Sequence, residues 1–269
     1  MIDIDSHYTL ADDAVERFTR DGYILLRNVL SPATLHHYGA EVTRLTKLLA
    51  TQKLPLEQRG TYEQAFLQVM NLWEWSALVR EFALGQRLAR IAAELLQVRG
   101  VRLYHDQSLY KEPGGGITPA HADQYYWPLG SDRTVTAWIP LQAVPLSMGP
   151  LGFYAGSQQV EFGRELAISD ESERAITLAM QQRGFAFIEE PFDLGDLSFH
   201  LGWTFHRAGV NSTIHARSVM TIIYMDQDMR LMAPTKDMQR ADRAAWCPGA
   251  VPGEIIQTAR NPLIYTRSG

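Results

Sequence analysis

His121-Ala122-Asp123 places a histidine and an aspartate two residues apart, a spacing that could hold a metal ion. On an extended strand alternate side chains share a face, so an imidazole and a carboxylate at i and i+2 point the same way. The stretch Thr118 to Tyr126 reads as such a strand. Tyr125, Tyr126 and Trp127 follow the pair, which sets the carboxylate beside apolar surface, where it needs a partner. His-x-Asp alone is common by chance, and taken by itself it is better explained by a solvated polar strand. A second histidine from elsewhere in the chain would give it chemical meaning. Two imidazoles and one carboxylate on one face leave coordination positions open, the arrangement suited to iron(II), an oxidisable cosubstrate and oxygen.

The other histidines sort by context. His7, His36 and His37 lie in a helical N-terminal region and read as solvated, and His105 sits in a strand-like run that reads as sheet packing. The third ligand is to be sought among His200, His206 and His215. His206 precedes Arg217 by eleven residues, with Gly209 and Asn211 making a turn between them, so a hairpin would bring the guanidinium near the imidazole. Arginine holds a carboxylate through two parallel hydrogen bonds. A metal ligand beside a carboxylate clamp is what a chelating 2-oxo-dicarboxylate requires. Arg207 competes for the clamp, but as the residue after His206 on a strand it should face the other way.

The elements that must position these residues come in two groups. Up to Gly100 the chain reads mainly as helix: Asp12 to Arg20, Ser31-Pro32 to about Ala50 with serine as N-cap and proline at the first helical position, and Leu78 to Leu96 with apolar residues at helical spacing. Tyr23 to Leu26 is a strand among them. After Gly100 the pattern shifts to short alternating runs. Val101–Tyr110, Thr118–Tyr126, Thr134–Leu141, Leu151–Tyr154, Phe185–Glu189, Leu197–Leu201, Trp203–Arg207 and Arg217–Tyr224 read as strands, with one helix near Glu171–Arg183. The fold class expected is mainly β with flanking helices, a jelly-roll barrel. Without repeats or low-complexity linkers, the chain reads as one domain: residues 1–100 a helical buttress, 101–225 the barrel core, 226–269 a C-terminal extension.

Composition narrows the function. The 269 residues are 46% hydrophobic and 20% charged, the profile of a globular protein, and the net charge of -5 argues against a nucleic-acid partner. Cys247 is the lone cysteine, in a turn-like Trp-Cys-Pro-Gly, so a cysteine-rich zinc site is excluded and a reducing compartment is favoured. The N-terminus lacks the pattern of a secretion signal and no apolar run reaches membrane-spanning length, so a cytoplasmic location is expected.

Several motifs, in order, resemble the phytanoyl-CoA dioxygenase family: Lys111-Glu-Pro-Gly-Gly, His121-Ala-Asp123, Tyr126-Trp127, Thr136-Ala-Trp138-Ile-Pro-Leu, Gly195-Asp196, and His206 followed by Asn211 and Arg217. The resemblance spans roughly Phe18 to Tyr265. It implies a double-stranded β-helix (cupin-like) fold and iron(II) bound by His121, Asp123 and His206. It also implies that Arg217 clamps the distal carboxylate of 2-oxoglutarate, with Gln107 and Trp138 as further contacts to that cosubstrate. Ala122 and Ala208 replace a glutamine and a serine common in relatives, and neither change removes a ligand. Asp123 stands where related halogenases carry a small residue, which favours hydroxylation over halogenation. The implied reaction is oxidation of a C–H bond in a small-molecule substrate by oxygen, with 2-oxoglutarate leaving as succinate and carbon dioxide. A divalent-metal hydrolase on the same barrel has no use for Arg217, and an inactive binding protein has no need of the whole set. Tyr125, Tyr126, Trp127, Trp203 and Phe205 are candidates to line the substrate pocket, and Glu57–Phe66 and Ser157–Arg183 are candidate lids.

Overall fold

Residues 1–267 are described by the computed structural model of the chain. Eleven strands are present among them: β1 (Tyr23–Leu26), β2 (Leu67–Met70), β3 (Gly100–Lys111), β4 (Thr118–His121), β5 (Thr134–Pro140), β6 (Leu151–Tyr154), β7 (Phe187–Glu189), β8 (Leu197–Leu201), β9 (His206–Ala208), β10 (Arg217–Asp226) and β11 (Leu263–Thr266). The helices are α1 (Ala14–Asp21), α2 (Pro32–Leu49), α3 (Thr61–Ala65), α4 (Ala77–Ala83), α5 (Gln86–Leu95), α6 (Asp170–Gln182) and α7 (Asp237–Trp246). One sheet runs β1-β8-β5-β10-β3-β11, with β2 added along β3, and a smaller one runs β4-β9-β6-β7. All the pairings are antiparallel.

Alternation along the large sheet assigns its two faces. Val135, Ala137 and Ile139 of β5, Phe199 of β8 and Met220, Ile222 and Tyr224 of β10 pack under the N-terminal helices, together with Leu35, Val42, Leu88 and Ile91. The residues between them in sequence turn inward. Trp138, Leu109 and Val219 meet Leu151, Phe153 and Ala208 of the small sheet in a second core. Every residue of β10 is buried, because β3 and β5 flank it and both its faces are covered. This is the double-stranded β-helix expected from the sequence, in an open two-sheet form: among the described residues no strand of one sheet pairs with a strand of the other.

Local chemistry explains most boundaries. Ser31 Oγ accepts the Thr34 N–H at 3.2 Å and Pro32 opens α2. Gly22 closes α1 at φ 75°. Other boundaries differ from the sequence reading, the larger differences for identifiable reasons. The run Leu78 to Leu96 is two helices, broken at Leu84-Gly85, where Gly85 packs against Ile4 and the Arg87 N–H donates to the Ile4 carbonyl at 2.7 Å. The strand beginning at Thr118 ends at His121, because the Gln124 N–H bonds the Gly202 carbonyl and curls Asp123–Tyr126 into a 3-10 turn. Trp203–Arg207 is displaced to His206–Ala208 by a turn closed from Thr204 N–H to Leu201 carbonyl. The extension beyond residue 226 contributes α7 and β11, which the pattern did not reveal, and β11 pairs with β3.

Gly149 shows how tightly the β5–β6 connection is drawn. It sits at φ 65°, and a Cβ there would lie 2.3 Å from the Gly209 carbonyl oxygen. Gly149→Ala should therefore destabilise the fold by at least about 1–3 kcal/mol, the cost of a strained backbone position. Urea unfolding should show a lower midpoint at unchanged slope, and an unshifted midpoint would contradict this packing.

Candidate active site

Strand register brings two histidines together. His121 of β4 pairs directly with His206 of β9, and their ring centroids lie 4.3 Å apart. Ala122 remains extended at φ −123°, ψ 130°, so Asp123 is delivered to the same place even though it opens a turn rather than continuing a strand. The His121 Nε2 is 3.5 Å from Asp123 Oδ1 and the His206 Nε2 is 3.7 Å from the same oxygen. The three side chains each offer a ligand atom, all within 4.8 Å of one another. Each ring is oriented from behind: His121 Nδ1–H donates to the Pro119 carbonyl at 2.8 Å and His206 Nδ1–H to the Thr204 carbonyl at 2.9 Å. That leaves both Nε2 lone pairs aimed at the cluster, as metal sites require.

The other carboxylate oxygen has its own partners. His200 Nε2–H and Thr136 Oγ–H both donate to Asp123 Oδ2 at 3.2 Å. These two donors are cross-strand neighbours on β8 and β5. The His200 Nδ1 is buried without a partner, so the ring's one proton on Nε2 is the arrangement that satisfies the carboxylate. His200 thus stands behind the aspartate, and Thr136 bonds it as well. His215 is not part of the cluster. Burial works against ionisation of Asp123, but the His206, His121 and His200 rings outweigh it and hold the carboxyl well below its usual range. Burial, then the neighbouring His121, hold the His206 imidazole neutral.

Arg217 lies at the start of β10, 1% exposed. Its Nη1 donates to the Gly149 carbonyl, its guanidinium lies 5.4 Å from the centre of the Trp138 ring, and its Nε finds no partner. No carboxylate pairs with it among the described residues. Burial brings it down to about 9, so it stays charged at neutral pH. Lys111, directly opposite on β3, is pushed down to about 6 by burial and by Arg217, and donates to the Gly116 and Gly209 carbonyls. Arg207 points to the outer face as expected and pairs with Glu173 of α6.

One cavity of about 310 Å³ joins these groups. His121, Asp123, His200, His206, Thr136, Arg217, Trp138 and Gln107 all border it. Gln107 Oε1 accepts from the Gln68 amide at 2.6 Å. Of the aromatic candidates Tyr126 and Trp127 line it, whereas Tyr125 and Trp203 face a separate hollow and Phe205 is core. Both candidate lids reach it, through Tyr62 and Phe66 and through Ile168, whose N–H donates to the Tyr126 hydroxyl at 2.8 Å. His105 also borders it, stacked on Trp246 at 4.0 Å, and Asp242 of α7 does too. Sequence reasoning weighed His200 only as a metal ligand and singled out none of Gln68, Asp242 and Trp246. Cys247 is buried and pushed up to about 12, an inert thiol.

An open two-sheet jelly roll with this inner face is the fold of non-haem α-ketoglutarate-dependent oxygenases, α-ketoglutarate being 2-oxoglutarate. The epimerase SnoN of nogalamycin biosynthesis is 26% identical, with a TM-score of 0.74 over 93% of this chain and 97% of SnoN. The carbocyclase SnoK of the same biosynthesis is 23% identical, TM-score 0.77, over 96% and 97%. EctD from S. alaskensis, solved with bound Fe, is 19% identical, TM-score 0.67, over 84% and 80%. The chain belongs to the phytanoyl-CoA dioxygenase family, whose profile matches residues 18–219. It is an oxidoreductase of the 2-oxoglutarate-dependent dioxygenase class. A search of curated protein sequences found no match. No helix among the described residues is long and apolar enough to cross a membrane.

The donors behind Asp123 make a prediction of their own. Replacing His200 with leucine should weaken iron(II) or cobalt(II) binding about 10- to 100-fold, the usual effect of losing an orienting partner. His200→Gln, which can still donate, should retain most of it. Equal affinity in the parent and the leucine variant, by metal titration, would contradict the role.

Proposed function

We propose that His121, Asp123 and His206 hold iron(II), that Arg217 holds the distal carboxylate of 2-oxoglutarate, and that the chain hydroxylates an unactivated C–H bond of a small molecule. The observation that carries this reading is one cavity with the histidine–aspartate cluster on its wall and a buried, charged, acid-free arginine also facing it. The donor set fits the metal: two imidazoles fixed with Nε2 free, and a carboxylate held ionised. The arginine fits the dicarboxylate, because a buried guanidinium with an idle Nε calls for an anion of its own. When bound, iron(II) supplies the activation of oxygen, and 2-oxoglutarate leaves as succinate and carbon dioxide.

The chain's own residues bind, orient and exclude water. His200 and Thr136 occupy Oδ2 of Asp123 and so present Oδ1 inward. Trp138 lies against the guanidinium, and Gln107, its oxygen taken by Gln68, has only its N–H groups left to offer the cosubstrate. Tyr62, Phe66, Tyr126 and Ile168 cover the cavity against bulk water. The part that SnoN, an epimerase, plays in nogalamycin biosynthesis supports a secondary-metabolite substrate. Neither nucleic acid nor membrane enters this reading, and the single cysteine supports a cytoplasmic setting.

Variants separate the roles. His121→Ala or Asp123→Ala should abolish iron(II) binding and turnover while the chain stays folded. Arg217→Lys keeps the charge but loses the planar fork, so the apparent KM for 2-oxoglutarate should rise well over tenfold, about 2–5 kcal/mol, with iron affinity nearly unchanged. Arg207→Lys should change neither. A large cosubstrate defect in Arg207→Lys with none in Arg217→Lys would refute the assignment.

A further inference from the structure

The triad and Arg217 account for only part of the cavity. The rest is a cup of aromatic and apolar side chains, Tyr62, Phe66, Tyr126, Trp127, Ile168 and Trp246, with two further ionisable groups on its wall, His105 and Asp242. His105 is buried, stacked on Trp246, and pushed down to about 4 by that burial, so it presents a neutral ring. Asp242 is different. It is half-buried on α7 with the Trp246 indole N–H as a neighbouring donor, and no cation pairs with it among the described residues.

The cations nearest in sequence are each committed elsewhere. Lys236 lies 3.8 Å from the centre of the Tyr125 ring, Arg240 is paired with Asp237, and Arg243 donates to the Ala250 carbonyl at 2.7 Å. Arg217 is the cavity's one guanidinium, and the cosubstrate claims it. A carboxylate left without a cation in a half-dry aromatic cup is disfavoured, and burial pushes the Asp242 carboxyl up to about 7. A bound cation would remove that penalty, and the faces of Tyr126, Trp127 and Trp246 would favour the same charge. An anionic substrate would be repelled.

Resting on the function proposed above, we infer that the substrate carries a basic nitrogen on an apolar or aromatic body, and that Asp242 receives its ammonium group. This gives α7, in the C-terminal extension, the task of choosing the substrate while the sheets hold the metal and cosubstrate. Asp242 is a specificity residue, remote from the iron ligands in sequence and carried on a different element.

The test uses the iron(II)·2-oxoglutarate enzyme without oxygen, whose visible charge-transfer band responds to molecules entering beside the metal. Three probes of one shape are titrated: tryptamine, tryptophol and indole-3-propionate. Tryptamine should perturb the band at least tenfold more tightly than tryptophol, and indole-3-propionate should be weakest. Asp242→Asn should reduce tryptamine affinity at least tenfold and leave tryptophol and 2-oxoglutarate binding as in the parent, while Asp242→Glu should keep most of the amine preference. Equal affinity for amine and alcohol, no response to the amine, or an unchanged preference in Asp242→Asn would overturn the inference while leaving the function intact. Failure of the band to form at all would instead sink the proposed function, and this inference with it.

Discussion

A carboxylate cannot stay ionised inside a protein unless something supplies the solvation that water has withdrawn. At Asp123 two donors, His200 and Thr136, serve one oxygen while the Nε2 lone pairs of His121 and His206 face the other, which leaves that side to a cation. Most of the inner architecture follows from bringing these groups to one point. They arrive on four strands from both sheets, β4 and β9 from the small one, β5 and β8 from the large one. Two cross-strand pairs, His121 with His206 and Thr136 with His200, mean that a slip of one residue in either ladder would turn the donors away. The hydrogen bonds place a ring proton on Nδ1 of His121 and of His206 and on the carboxylate side of His200.

The opposite charge is handled by a different device. Arg217 and Lys111 face each other across β10 and β3, two cations in direct register with no acid between them. Burial sorts them by chemistry: the amine yields its proton and settles on two carbonyls, while the delocalised guanidinium keeps its charge. Beside Asp242 of α7, the cavity wall therefore carries the Asp123 carboxylate and the Arg217 guanidinium, neither of them paired with a charged lysine, arginine or acid among the described residues. A metal ion answers the first and a dicarboxylate the second, and neither group alone would explain the other.

Much of this was legible in the residues. Tyr23–Leu26, Leu151–Tyr154 and Leu197–Leu201 form strands over the residues expected, since apolar alternation and flanking turns agree there. The histidine–aspartate spacing carried chemistry because short-range backbone geometry fixes where such neighbours point. The hairpin expected from His206 to Arg217, by contrast, does not form: β9 lies in the small sheet and β10 in the large one, and the two residues share only the cavity between them. What could not be read depends on distant partners. Gly85 breaks a helical pattern because Ile4 packs on it, and Asp123 turns because Gly202 captures the Gln124 N–H. His200 stood in the sequence only as a less favoured candidate for the third ligand, and only the three-dimensional approach of β8 to the turn at Asp123 makes it the aspartate's partner. Asp242 and Trp246 lie in a segment whose local pattern gave no sign of α7, so their place in the cavity appears only once that helix is docked.

The most direct measurement is the fate of 2-oxoglutarate in the presence of the purified chain, iron(II) and oxygen. Succinate should form only when iron and oxygen are both present, and zinc in place of iron should give none. Hydrolytic turnover supported by zinc, or an iron-loaded chain that consumes no 2-oxoglutarate under oxygen, would contradict the account.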